Sequence, residues 1–301
     1  MAQGPISSPG KKTSGFRIGG YSSYLLLVPG LAIATIFMIL PLAIMTVVSF
    51  YTTAPSSTGY LEIFTAQNYI DFFTAPNTPT LLLNTFSLAL ITAIICFAFG
   101  FPLAYFLTFR IKNATFKNYV ITLLIVPFLI DASIRTVAWI AILGKDGIVN
   151  YALLSLGAIQ SPIAALLFSR NTLYIIWLQT YIVFMEFPIY LAMNRIDPDL
   201  IWAAKVLKAP PHRVLYDIVF KLSLPGIICG FVFVFVSTLG DYVTPNLWAG
   251  GVQTLGLSIS RYSNNFLWPY ASVLSTMLLI ISVVVLFISF KVVDIRKLVY
   301  E

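Results

Sequence analysis

Asp131, Glu186 and Asp241 are hard to place without chemistry, because each stands in or beside a long apolar run. A charge in an apolar interior is costly, and such residues usually face a partner, a cavity or a path for solute. Asp131 and Arg135 are four residues apart, the spacing of neighbours on one helix face. They form either a local ion pair that orients their helix or part of a translocation path. Glu186 has no basic residue within a turn; the nearest candidate, Arg195, would sit about 13 Å along a helix. Three readings stand for it: a protonated acid bonded to a neighbouring helix, a contact with another subunit, or a lining residue of a path. Asp241, beside Tyr242, is either an interfacial residue or a group that attracts a cation. Carboxylates pair with ammonium groups, and aromatic faces hold cations and methylene chains. For a cationic solute, Trp139, Tyr181 and Tyr242 therefore join these acids as candidate pathway residues, with Tyr105 and Trp177 as further aromatics to test.

Other chemistries lack their parts in this sequence. The stretch from Gly4 to Gly10-Lys11-Lys12-Thr13 has the wrong spacing for a phosphate-binding loop and no strand before it. His212 is the lone histidine, and it reads as a surface or contact residue. There is no nucleophile–base pair and no metal-ligand spacing. Cys96 and Cys229 both lie in apolar runs, where they read as inert buried thiols. The expectation is a chain that is not an enzyme, carries no metal or cofactor and binds no nucleic acid.

The elements that hold these residues follow from composition. The chain has 301 residues, 59% of them hydrophobic and 10% charged, where a soluble domain carries about 25% charged residues. So much apolar surface needs lipid as its solvent. A bilayer core takes roughly 20 apolar residues in a helix. Six such runs occur, over Ser22–Tyr51, Leu81–Phe109, Tyr119–Leu143, Thr172–Met193, Ser223–Val243 and Pro269–Phe290. The third, which carries Asp131 and Arg135, is the weakest. None alternates polar and apolar as a barrel strand would. The fold class expected is all-α integral membrane with six transmembrane helices. A flexible cytoplasmic leader spans residues 1–20, the transmembrane domain 21–293 and a cytoplasmic tail 294–301.

Basic residues orient the runs. With the N-terminus inside, the inner segments hold fourteen of the 18 Lys and Arg residues. Only Arg135, Lys145, Arg170 and Arg261 fall elsewhere. Both termini are then cytoplasmic, and the long loops over 52–80, 144–171 and 244–268 lie outside.

The inner loop over 194–222 carries a second pattern. Asp197-Pro198-Asp199 reads as a helix start, with Asp as cap, Pro at the first position and acid near the N-terminal dipole. A short helix follows with Leu200, Ala203, Ala204 and Leu207 on one face, and Pro210-Pro211 breaks it. A second short helix sets Val214, Leu215, Ile218, Val219 and Leu222 at helical spacing, and Ser223-Leu224-Pro225-Gly226 leads back into the membrane. Two short amphipathic helices must bury their apolar faces against lipid headgroups or against a cytoplasmic partner; physics alone leaves both open.

The stretch from Trp202-Ala203-Ala204-Lys205-Val206-Leu207-Lys208 to Leu224-Pro225-Gly226 resembles the EAA loop of binding-protein-dependent ABC importer permeases. The two alanines, the spacing and the Leu-Pro-Gly match. Trp202 stands where that family usually has Glu, Lys208 where it has Gly, and Lys221 where many members have Pro. Asn84-Thr85, Gly100-Phe101-Pro102-Leu103-Ala104-Tyr105, Ile134-Arg135-Thr136-Val137-Ala138-Trp139, Leu143-Gly144, Gly147-Ile148-Val149-Asn150, Gly240-Asp241-Tyr242-Val243-Thr244-Pro245, Gly250-Gly251 and Trp268-Pro269 follow in the order of the polyamine (spermidine/putrescine) branch. Iron, opine and amino-acid-like importers share much of it.

The resemblance implies a permease in a bacterial inner membrane. Its expected partners are an ABC ATPase dimer, which binds the ATP and Mg, a second related permease that makes a heterodimer, and an extracytoplasmic solute-binding protein. Trp202, Ala203, Ala204, Leu207, Lys208, His212 and Arg213 would couple it to the ATPase. A secondary transporter, expected to have broken midplane helices and repeats, and a channel, expected to have a filter, are the competing classes.

Overall fold

The computed structural model describes residues 20–54, 59–163 and 168–292. The expected leader and tail fall almost wholly outside these residues. The chain divides into two units, residues 1–47 and 48–301. The described part of the first is one helix, α1 (Gly20–Val48), with Pro29 and Pro41 inside it. Its sequence has no charged residue, as suits a helix that crosses lipid.

The second unit opens with a hairpin, β1 (Tyr51–Thr53) and β2 (Tyr60–Phe64), antiparallel with Thr52 opposite Leu61. Helices α2 (Gln67–Thr74) and α3 (Thr78–Tyr105) follow. Next come α4 (Ala114–Ile125), α5 (Ala132–Leu143), α6 (Ile148–Ser155) and α7 (Arg170–Met193). The chain continues through α8 (Pro198–Val206), α9 (Pro211–Arg213) and α10 (Lys221–Gly240). It closes with α11 (Val243–Trp248), α12 (Leu255–Asn264) and α13 (Trp268–Val292). Among the described residues six segments are long and apolar enough to cross a membrane: Val28–Val48, Thr78–Arg110, Ala132–Ser155, Arg170–Met193, Pro211–Gly240 and Trp268–Lys291.

Three of the expected runs have different bounds. The third does not run unbroken from Tyr119 to Leu143. A 3-10 turn over Val126–Leu129 parts α4 from α5, because Pro127 has no N–H to continue the ladder. Asp131 then caps α5, its carboxylate accepting from the Ser133 N–H at 2.8 Å. The crossing is shifted to α5 and α6, joined at Gly144 and Gly147, where any side chain would strike backbone oxygens of the same turn. The second short helix of the inner loop is not separate either. It starts at Pro211, widens into a π-helix over Val214–Phe220 and runs on as α10 through Pro225. A like π turn, Phe106–Arg110, extends α3 just past Pro102. The outer segments, expected as loops, hold the hairpin, α2, α6, α11 and α12. Cys96 is buried as expected, but Cys229 is exposed on this chain.

Helices α3, α7 and α10 form the core. Arg170 at the start of α7 donates to the Asn84 side chain of α3 at 2.6 Å. Gly100, sixteen residues further along α3, lies against Met185, fifteen further along α7. The offset is nearly constant, so α3 and α7 run parallel. Against α10 the order reverses. Gly226 meets Pro188, Gly230 meets Met185, and near the other end Tyr181 donates to the Ser237 carbonyl at 3.4 Å. This matches second and fourth crossings in one direction and a fifth in the other.

Lipid tails are as apolar as leucine, so burial of apolar surface does little to join helices in a membrane. Close packing across small residues does the joining. Gly226 and Gly230, four apart on α10, fill that role. A Cβ on Gly230 would sit 2.8 Å from the Met185 carbonyl oxygen, and one on Gly226 would strike the Pro188 carbonyl oxygen. Met185 and Ile189 of α7 are buried at this contact, and Trp177, Ile176, Leu173, Leu88 and Phe235 are buried further along the three helices.

Gly230→Val and Gly226→Val therefore each destabilise the purified chain by about 1–3 kcal/mol, the cost of overpacking a tight core. Cys229→Ala, one position away on the exposed side, serves as the control. Thermal melting in detergent reads the difference; equal melting temperatures for all three would overturn the glycine-packed core.

Candidate functional site

The sequence candidates separate into a polar cluster at the Asp241 end, a buried acid and a knob at α8. The polar cluster sits where α7 meets the end of α10. Asp241 ends α10, and its carboxylate takes donors from two helices. Oδ2 accepts from the Trp177 indole at 2.7 Å, the Tyr181 hydroxyl at 3.3 Å and the Thr244 hydroxyl at 2.6 Å. Oδ1 accepts from the N–H groups of Val243 and Thr244 at 2.9 and 3.2 Å. Five donors fill both oxygens, so the group caps α11 and ties α10 to α7. Trp177 and Tyr181 are buried, whereas Tyr242 is half exposed. Trp177 and Tyr181 are one turn apart in sequence, the visible half of this cluster; nothing in the sequence set them against Asp241.

Asp131 lies elsewhere, exposed at the head of α5. Its hydrogen bonds from Ser133 hold its carboxyl below the usual carboxylate range, with the Arg135 charge a smaller push in the same direction. Arg135 and Trp139 are half-buried on α5, and Trp139 packs against the helix core. The structure thus brings Tyr181 and Asp241 together and leaves Asp131 apart as a cap.

Glu186 is the exception in the core. It is 3% exposed on α7, between Met185 at the glycine contact and Phe187. Among the described residues none makes a hydrogen bond or ion pair with its carboxyl. Pro188, two residues on, lies inside the same helix. On another face of α7 an apolar recess of about 210 Å³ is lined by Phe184, Phe187, Phe233, Val183, Pro188 and Ile125, and Glu186 is not among its walls. Towards the Asp241 end a second recess, of about 460 Å³, is lined by Asn77, Thr80, Leu81, Asn84 and Gly250 to Gln253.

The knob is α8 and the turn after it. Asp197 caps the helix, its side chain accepting from the Asp199 N–H at 2.9 Å, and Pro198 takes the first position as expected. Ile201 rests on the core and Ala204 is half-buried. The face read as amphipathic is uncovered in this chain: Leu200 is exposed, and so are Ala203 and Leu207. Trp202 is 67% exposed and Leu207 82%. Lys205, Lys208, His212 and Arg213 are exposed around them. Asp217 pairs with Lys221 at 2.8 Å.

The helix ends in a left-handed turn at Lys208, φ 56°. The Ala209 N–H bonds the Ala204 carbonyl and the Lys208 N–H bonds the Lys205 carbonyl, both at 3.0 Å, which is the Schellman ending. Glycine takes that conformation freely; a side chain there costs about 1–2 kcal/mol. This accounts for Gly as the usual residue at the position, and makes Lys208 a tolerated cost.

Much of the remaining resemblance consists of joints. The Leu255 N–H bonds the Thr85 hydroxyl at 2.9 Å, and the Trp248 indole bonds the Thr136 carbonyl at 3.2 Å. Asn150 donates to the Gly144 carbonyl at 3.0 Å and accepts from the Ile163 N–H at 2.9 Å. Gly250, at φ 55°, lies where a Cβ would strike the Phe168 carbonyl. These residues brace the outer segments against the core.

Comparison with known proteins agrees with this arrangement. Residues 96–298 match the family described as binding-protein-dependent transport system inner membrane component. The chain is 28% identical over 258 residues to the spermidine/putrescine transport system permease protein PotB of Haemophilus influenzae, covering 85% of this chain and 88% of that one. It is 29% identical over 248 residues to PotB of Escherichia coli K12, covering 82% and 88%. In fold it is similar to a chain of a bacterial alginate ABC transporter crystallised with an alginate pentasaccharide-bound periplasmic protein. That similarity has a TM-score of 0.70 at 15% identity, over 89% of this chain and 92% of that one. With six apolar crossings, a three-helix core and an exposed knob at α8, the chain belongs to the family of binding-protein-dependent transport system inner membrane components.

Proposed function

We infer that this permease carries polyamines, or a closely similar small cationic solute, inward through the membrane as one subunit of an ATP-driven importer. The observation that carries the transport role is the uncovered apolar face of α8, which needs a partner at the membrane surface. Similarity to the two PotB proteins over most of the chain supports the solute class. In this reading the ATPase dimer binds ATP and Mg and receives the knob from Trp202 to Arg213. A second, related permease completes the pathway as a heterodimer, and an extracytoplasmic binding protein delivers solute. The knob side and both termini face the cytoplasm, in keeping with the basic inner segments.

The mechanism follows from parts already described. Closing and opening of the ATPase dimer displaces α8 and the start of the Pro211–Gly240 helix. That helix packs on α7 through glycines, so the displacement passes into the core and exchanges inward- for outward-facing states, biased by ATP. Glu186 supplies a carboxylate for an ammonium group. Asp241 works differently. Its oxygens are filled, so it holds the outer ends of α7 and α10 in place.

Two substitutions separate these roles. Glu186→Gln keeps volume and assembly but lowers polyamine uptake in proteoliposomes by roughly tenfold, the loss of one charge-assisted contact. Unchanged uptake would take Glu186 off the path. Asp241→Asn presents an amide N–H₂ to donors, so it destabilises the chain by about 1–3 kcal/mol; full stability with selective loss of uptake would instead make Asp241 a solute group. Gentle detergent extraction of the tagged chain should bring an ABC ATPase and a second permease with it. Recovery of this chain alone, under conditions that preserve known complexes, would overturn the importer assignment.

A further inference from the structure

We propose that the inner knob docks through a charge-specific contact: Trp202 enters an apolar slot on the nucleotide-hydrolysing partner, and Lys208 pairs with a carboxylate on its rim. This rests on the importer reading and adds the chemistry of the partner surface. Lys208 is the first observation. Its backbone is left-handed, its N–H is used in the turn, and among the described residues nothing bonds its amine. The turn itself asks for glycine. The lysine side chain contributes nothing inside the chain that would favour it there, so its use lies outside.

The second observation is charge. Lys205, Lys208, His212 and Arg213 surround the turn. Of the loop's acids, Asp217 is paired with Lys221, and Asp197 and Asp199 stand at the start of α8, away from the turn at Lys208. The tip of the knob is left with unbalanced positive charge, which selects an acidic surface.

The third is direction. At 100° per residue, Leu200, Trp202, Ala203, Val206 and Leu207 share one arc of α8, and all are exposed. Ile201 lies opposite and rests on the helix core, and Ala204, at the edge of the arc, is half-buried. The apolar arc therefore points away from the membrane-crossing helices. A helix lying among lipid headgroups turns its apolar side toward the acyl chains instead. A large aromatic in a desolvated pocket beside a charged pair is the usual form of a binding hot spot.

The test uses the full complex in nanodiscs, with the ATPase that co-purifies with the wild-type chain as the probe. Lys208→Gly removes the cation while easing the turn. It should raise the melting temperature of the permease, weaken ATPase binding roughly tenfold and flatten the salt dependence of that binding. Lys208→Glu should weaken binding further, with recovery when one carboxylate of the ATPase rim is changed to lysine. Trp202→Ala should weaken binding without changing its salt dependence. ATPase binding by Lys208→Gly equal to wild type, with unchanged salt dependence, would overturn the proposal. So would unchanged ATPase binding accompanied by weaker association of the variant with vesicles of anionic lipid, which would make the contact a lipid one. If the wild-type chain retains no ATPase, the importer reading fails and this inference fails with it.

Discussion

Backbone meets backbone where Gly226 and Gly230 of α10 lie on Met185 and Pro188 of α7, with Gly100 of α3 on the opposite flank. The rest of the molecule is arranged around that contact. In a bilayer the apolar side chains have lipid as an equal alternative, so helices stay together through contacts too close for lipid to replace. The glycines bring the main chains within reach, and Met185 and Ile189 are buried at the contact. The Asp241 hub closes the same helix pair at its other end. One pair of helices is thus held at two levels by unlike means, one steric and one polar. Glu186 lies at the steric level, where a carboxyl is held by shape and not by a partner.

The split between structural and functional polar residues follows from hydrogen-bond capacity. Asp131 and Asp241 look alike in sequence, as acids at the edge of apolar runs. Both cap helices. Glu186, deeper and without donors, differs from them, and that difference carries the assignment of its role. A carboxylate with every lone pair used has little to offer a solute unless the protein around it comes apart.

Several levels of the fold were legible in the residues alone. Length and apolarity revealed the six crossings, since nothing else suits runs of that length. Asp197-Pro198 revealed the start of α8, because capping is local chemistry. The break at Pro127 was just as local, yet it was masked by the apolar run on both sides of it; Asp131 was read as a residue inside a helix when it is the cap of one. The continuous helix through Pro225 was read as a loop return, because proline argues for a break and the preceding π-helix, which accompanies it, has no sequence pattern of its own. The hairpin after α1 and the hub at Asp241 depend on pairing between distant segments, and periodicity along one chain carries no record of it. Thr85, Thr136, Asn150 and Gly250 stood out through family resemblance, and their role as braces emerged only from what they touch.

The unbroken helical course from Pro211 to Gly240 has a mechanical consequence. About 45 Å of helix behaves as a rod, and the glycine contact at 226–230 is its fulcrum. The fulcrum divides the rod unequally, with the longer arm on the knob side. A tilt imposed at the knob is therefore geared down at the far tip, with displacement exchanged for force. A knob that swings through a wide arc would move Asp241 and its bonded partners by a smaller one, so the far ends of α7 and α10 can shift as a unit without parting.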